Sequence, residues 1–236
     1  IWHPYCIYCI FNYDLYTAFH RGLADELLED AQESSLLVTS ILDIGCGTGY
    51  LTHKAKIVFP EAQVTGLDFA QGMLTYAQQK YPGITWILAD ANQLSIQEAS
   101  LDLIVSNAAF QWLRDLRKVF RDTRRLLKDK GQLYVTFFGN QTCQELFNSL
   151  QAAGYPTENL NRFATFENVQ EALAGAGFSD FKIEEQLIKK PFLNLEHLLF
   201  WLKAIGANRL TSGVFLGSKT LKKANKYCLE KYPMDQ

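Results

Sequence analysis

Gly45, Gly47 and Gly49 stand at alternate positions two residues after an acid, Asp43, with the small residue Cys46 among them. Ile41, Leu42 and Ile44 lead in, and a run at helical spacing follows, so the stretch reads as strand, glycine turn, helix. Glycine lets a backbone turn tightly and approach a ligand closely. The spacing differs from the G-x-G-x-x-G of dinucleotide binders. No third glycine is set for a pyrophosphate and an acid ends the strand, so the loop suits a ligand carrying an amino acid and a nucleoside rather than phosphates.

Three further strand ends carry matching chemistry. Residues 63–68 form a short apolar run ending in Asp68, an acid placed to accept hydrogen bonds from both hydroxyls of a ribose. Residues 85–89 end at Asp90, positioned for an adenine amino group, with Ala91 leaving room for the ring. Residues 101–106 run into Asn107. A single Asp after a strand is ordinarily a helix cap. Four such residues at these separations instead define one crevice at the carboxyl edge of a parallel sheet, in an α/β fold with helices on both faces.

Other elements must hold these strands. Residues 11–30 read as a helix, with Leu15, Ala18, Phe19, Leu23, Leu27 and Leu28 recurring at three and four. Further helices are expected over 72–80, 114–128, 142–153, 166–176 and 219–231, with Asn194 capping an amphipathic one. Lys130 and Gly131 are expected to turn the chain into a strand over 132–138, and 181–188 reads as a sixth strand.

The 236 residues suffice for one large domain with a substantial core. No apolar run approaches the roughly 20 residues needed to span a bilayer, so no membrane association is expected. The apolar start lacks a basic lead and a cleavage site, and it begins without Met, so a trimmed start is expected. Five cysteines, an odd number, fit reduced thiols in a cytoplasmic protein. Cys6 and Cys9 with His3 lack a second pair at metal spacing, so no metal is expected. Residues 1–180 hold 13 Lys+Arg against 20 Asp+Glu, whereas residues 181–236 hold 10 against 5. That basic C-terminal region suits an acidic partner as well as a solvated face, but it is too dilute for nucleic acid.

The segments DIGCGTG, GLDFAQGML, ADANQL and SNAAFQWL together resemble the successive motifs of the Rossmann-like S-adenosylmethionine-dependent methyltransferases. The resemblance implies S-adenosylmethionine as cofactor and S-adenosylhomocysteine as product. Asp43, Gly45, Cys46, Gly47, Gly49, Asp68, Phe69, Met73, Asp90, Ala91 and Asn107 would then contact the cofactor. It also implies a single domain over 1–236, with a cap helix at 11–30, a cofactor-binding core at 41–140 and a substrate and lid region at 155–236. The closing antiparallel strand of that fold has no counterpart in the sequence, so a truncated C-terminus is expected.

Methyl transfer from a sulfonium mostly requires positioning and desolvation, and a base only where the acceptor must lose a proton. The strand-four motif lacks the Asn-Pro-Pro-aromatic run of amino-group methylation, and no His or Asp base follows it. An acceptor that is already anionic, a carboxylate met by Arg162 or Arg209, is therefore favoured, with no catalytic acid or base assigned. SNAAFQWL, the NRF at 161–163, LKAIGANRL at 202–210 and KYPM at 231–234 are similar to the malonyl-acyl-carrier-protein O-methyltransferase family of biotin synthesis. That resemblance implies a malonyl group on an acidic acyl carrier protein as substrate, and Tyr13, Tyr16, Gln111, Trp112, Asn161, Arg162 and Arg209 around it. Two other readings stand beside it: a small-acid enzyme of the trans-aconitate type, which shares the SNA-x-x-QW stretch, and a non-catalytic partner of the same fold.

Overall fold

The computed structural model describes residues 13, 16–34, 36–157, 163–207 and 216–233. Residues 1–12, where Cys6 and Cys9 fall, lie outside them. Contacts divide the chain into two compact units, residues 1–138 with 164–183, and residues 139–163 with 184–236.

The first unit is built on a parallel sheet. Helix α1 (Ala18–Gln32) precedes β1 (Ser40–Ile44), α2 (Tyr50–Val58), β2 (Gln63–Asp68), α3 (Gln71–Lys80), β3 (Thr85–Leu88), β4 (Leu101–Asn107), a short 3-10 turn (Phe110–Trp112), α4 (Leu116–Leu126), β5 (Leu127–Thr136) and, later, α6 (Phe166–Gly175). The strands lie in the order β3-β2-β1-β4-β5, every pair parallel. The inner strands are buried on both faces, as parallel sheets require, which is why they read as continuous apolar runs. Chain order reverses direction between β1 and β4, and at such a switch point a crevice opens outside the carboxyl ends of the strands. The topology thus sets the site where Asp43 and Asn107 end their strands. Two apolar clusters fill the layers between sheet and helices. One is centred on Ile44, Leu67, Ile104, Phe110 and Phe120, the other on Leu27, Ile41, Leu51, Val64 and Val105.

Three expectations fail here. The helix expected to Lys128 ends at Leu126, because buried Leu127 takes an extended conformation and pairs with Leu101. Gly131 is no turn: it lies inside β5, where a Cβ would come within 2.8 Å of the Leu101 carbonyl oxygen. Residues 181–188 form no strand. Phe181 and Ile183 pack against the apolar core, while residues 184–188 are exposed and find no ladder partner. Among the described residues the sheet has five strands, none antiparallel.

The second unit is helical: α5 (Gln144–Ala152), α7 (Leu195–Ala204) and α8 (Ser218–Lys231) pack through Leu146, Leu150, Tyr155, Leu195, Leu198 and Ala224. Asn194 caps α7 as expected, its side chain accepting the His197 N–H at 2.8 Å. Asn225 accepts the Leu195 N–H at 2.9 Å, which pins the start of α7 to α8. No described helix is long and apolar enough to cross a membrane.

Candidate functional site

The loop after β1 is shaped by close approaches on both sides. Gly45 has φ +76°, and a Cβ there would overlap that of Ala109. Gly49, φ +83°, begins α2 against the Trp86 ring, which a Cβ would meet at 2.6 Å. Both positions demand glycine, for conformation and for space. The Gly45 and Cys46 N–H groups donate to the Leu67 carbonyl at 2.7 and 3.0 Å. Gly47 donates to Asp68 Oδ2 and Ala70 to Asp68 Oδ1, each at 2.8 Å. Asp68 at the end of β2 is therefore tied directly to the glycine loop. Burial raises its pKa, opposed by those backbone hydrogen bonds.

Asp43 is buried at the carboxyl end of β1. Thr52, one turn into α2, donates its hydroxyl to Oδ2 at 2.6 Å, while Oδ1 is buried without a hydrogen-bond partner. Burial pushes the Asp43 pKa up to about 7; the Thr52 hydrogen bond opposes this and the charge of Asp68 adds to it. A buried carboxylate oxygen with nothing to accept is costly alone and calls for a cationic donor. Burial also raises the Cys46 thiol well above its ordinary value, so the small side chain fills space as a neutral thiol.

Asp43, Gly45, Cys46, Gly47, Thr48 and Asn107 share a pocket whose other wall is supplied by Tyr13, Thr17, His20 and Arg21. The Asn107 amide is committed to structure. Its Nδ2 donates to the His20 carbonyl at 2.8 Å and its Oδ1 accepts the Thr136 hydroxyl at 2.5 Å, bracing α1 against the ends of β4 and β5. The next residue, Ala108, is held at φ +53°, and its carbonyl accepts the Gln111 amide at 2.7 Å. Gln111 Oε1 is left buried and without a hydrogen-bond partner. His20 stacks edge-on with Phe19 and Phe138, and burial lowers its pKa to about 4, which makes it a poor proton acceptor.

Not every expected residue converges on the pocket. Met73 is buried beside Ala70 and packs with Tyr13, and Tyr16 is half-buried. Phe69 is 75% exposed and Trp112 41% exposed. Ala91 is buried in the core. Asp90 is exposed and folds onto its own turn, its Oδ1 accepting the Asn92 N–H at 2.9 Å and side-chain amide at 2.7 Å. The Asn92 backbone bond leads in lowering its pKa. Asn161, Arg162 and Arg209 lie outside the described residues. Thr17, His20, Arg21, Thr48 and Thr52 were not singled out in the sequence. The spacing of four from Tyr13 to Thr17 to Arg21 is the signal that could have found two of them. Among the described residues no group of His, Cys, Asp or Glu is arranged to hold a metal ion.

The residues present fit S-adenosylmethionine. Its methionyl ammonium would satisfy the orphaned Asp43 Oδ1, its backbone would lie along a loop in which Gly45 and Gly49 leave no room for a Cβ, and Asp68, tied to that loop, would be placed for a ribose.

Comparison with known proteins points to the same class of enzyme. A methyltransferase-domain family profile matches residues 41–131. Over most of its length the chain is similar to curated enzymes. It is 32% identical to the malonyl-[acyl-carrier protein] O-methyltransferase of Methylococcus capsulatus over 85% of this chain and 74% of that one. It is likewise 32% identical to the biotin biosynthesis bifunctional protein of Cellvibrio japonicus, over 86% of this chain and 40% of that protein. In fold it is similar to Haemonchus contortus phosphoethanolamine N-methyltransferase 2 in complex with S-adenosyl-L-methionine. The TM-score is 0.61 at 21% identity, over 94% of this chain and 52% of that one. An identity of that size across most of both sequences places the chain in the malonyl-[acyl-carrier protein] O-methyltransferase family, and it is an S-adenosylmethionine-dependent O-methyltransferase of the Rossmann-like α/β class.

Proposed function

We propose that the chain methylates the free carboxylate of a malonyl group carried by an acyl carrier protein, in biotin synthesis. The observation that carries this reading is the similarity to malonyl-[acyl-carrier protein] O-methyltransferases over 85% of the chain. The pocket chemistry agrees with it. S-adenosylmethionine supplies a methyl group already activated as a sulfonium, and a carboxylate attacks it without losing a proton. A pocket whose histidine is held neutral at low basicity and whose buried acid would face the donor's ammonium needs no general base for that reaction. In this reading Asp43 and the loop 45–49 hold the methionyl end, Asp68 the ribose, and Asp90 with Ala91 the adenine. Asn107 braces the cap helix, and Gln111 lies on the acceptor side. Arg162 or Arg209 meets the malonyl carboxylate, with Asn161, Tyr13, Tyr16 and Trp112 around it.

An acidic carrier protein would find its counterpart on α8. Lys219, Lys222, Lys223 and Lys226 recur at three and four along it and are exposed. The proposed setting is the cytoplasm, where Cys46, Cys143 and Cys228 would remain the free thiols they are.

A transfer assay with radiolabelled donor tests this, with malonyl carrier protein, malonyl coenzyme A and trans-aconitate offered side by side. Label on the malonyl carrier protein, released by base as methanol, is expected. Label on trans-aconitate alone would overturn the substrate while leaving fold and donor in place.

A further inference from the structure

The turn after β4 is pressed against the glycine loop. Ala108 and Ala109 follow Asn107, and a Cβ at Gly45 would lie 2.4 Å from that of Ala109, so the two turns touch with no room for a side chain between them. The strand ends leading into them are tied together, since the Ser106 hydroxyl donates to the Ile44 carbonyl at 2.6 Å. What sets the position of Ala109 is the residue before it. Ala108 has φ +53°, in the left-handed region that an alanine enters only at a cost. Its N–H donates to the Thr136 carbonyl at 2.8 Å, which fixes one side of the residue to β5. Its carbonyl accepts the Gln111 amide at 2.7 Å, which fixes the other.

The residue type at 111 fits that task better than it fits packing. Its buried Oε1 has no hydrogen-bond partner, and such a group is costly to bury, so an apolar side chain of the same length would fill the space at less cost. We propose that Gln111 is a positioning residue for the methyl donor: its amide holds Ala108 in the left-handed conformation, and Ala109 thereby keeps the start of the glycine loop, at Gly45, in the shape that receives the donor. This role rests on the donor assignment and on nothing about the acceptor.

A cycle of Gln111→Met, Ala108→Gly and the double variant tests it, read by calorimetric binding of S-adenosylhomocysteine and by urea unfolding. Gln111→Met should bind about tenfold more weakly than wild type, the size of one alanine's left-handed cost. Glycine enters that region freely, so the same substitution made in the Ala108→Gly background should weaken binding by less than about twofold. A side chain that touches the ligand, or one that only packs, would show no such rescue, and a tenfold loss that persists in the Ala108→Gly background would overturn the proposal. If Gln111→Met does not fold alone, the double variant should still fold and bind, and a double variant that does neither overturns it as well. A lowered urea midpoint with unchanged affinity in Gln111→Met would make Gln111 a residue of the fold alone. Unchanged affinity with a raised KM for the methyl acceptor would move Gln111 to the acceptor site, and either result overturns the positioning role. Absence of binding to wild type would instead overturn the donor assignment.

Discussion

Asp43 and Asp102 are buried carboxylates on neighbouring strands of one sheet, at opposite ends of it. Asp102, at the amino end of β4, collects donors. The Thr39 and Ser40 N–H groups approach its Oδ2 at 3.0 Å, their hydroxyls at 2.7 and 2.8 Å, and Lys128 Nζ bonds both oxygens at 2.8 and 2.9 Å. Burial works to raise its pKa, but the bonds from Lys128, Thr39 and Ser40 outweigh that and hold it far below the usual carboxylate range. Asp43, at the carboxyl end of β1, has the Thr52 hydroxyl on one oxygen and nothing on the other, and its pKa is pushed up to about 7. The same residue type on the same scaffold is satisfied at the amino end of the strands and left wanting at the carboxyl end, where the glycine loop lies.

The contrast breaks most visibly by removing each acid. Asp102→Ala strands four Thr39 and Ser40 donors and Lys128, and should cost about 3 kcal/mol of stability in urea unfolding. An unchanged midpoint would mean that this cluster contributes nothing. Asp43→Asn should do the reverse: no loss of stability, because a buried charge is relieved, but S-adenosylhomocysteine binding weaker by about 2 kcal/mol in calorimetry. A destabilised Asp43→Asn with intact affinity would erase the distinction.

Titration sharpens the same comparison. The folded pKa of Asp102 lies below its ordinary 3.8, so its stabilisation is present above that value and is lost as pH falls below it. The folded pKa of Asp43 lies above its ordinary 3.8, at about 7, so the ligand-free fold loses stability from this group as pH rises from about 4 to about 7. A ligand ammonium favours the ionised form. Affinity for S-adenosylhomocysteine should therefore climb about fivefold between pH 6 and 7 and flatten above about pH 8, and a flat profile would contradict the Asp43 pairing. The smallest effect is expected of Thr52→Val. Binding should weaken by about 1 kcal/mol and the midpoint of the affinity profile should move to higher pH, because the hydroxyl bond is what lowers the Asp43 pKa.

The parallel α/β fold, the donor and the family were legible in the residues because their signals are local. A buried parallel strand is a short apolar run, a glycine turn is glycines at fixed spacing, and an acid closing a strand stays at that strand's end whatever packs around it. The failures were places where a neighbour decides. Residues 181–184 alternate as a strand does, but a strand exists only where a ladder partner is available, and residues 181–188 have none. Gly131 looks like a turn residue until the Leu101 carbonyl is seen above it.

The sequence by itself determined which backbone conformations were possible and therefore where a crevice could form, since φ/ψ preference and hydrophobic period belong to the chain. Only the tertiary structure decided what enters that crevice. Thr52 reaches Asp43, Arg21 comes to the pocket over Tyr50, and the Asn107 amide is taken up by α1 and β5, because electrostatic and hydrogen-bond partners are set by distance in space rather than by separation along the chain.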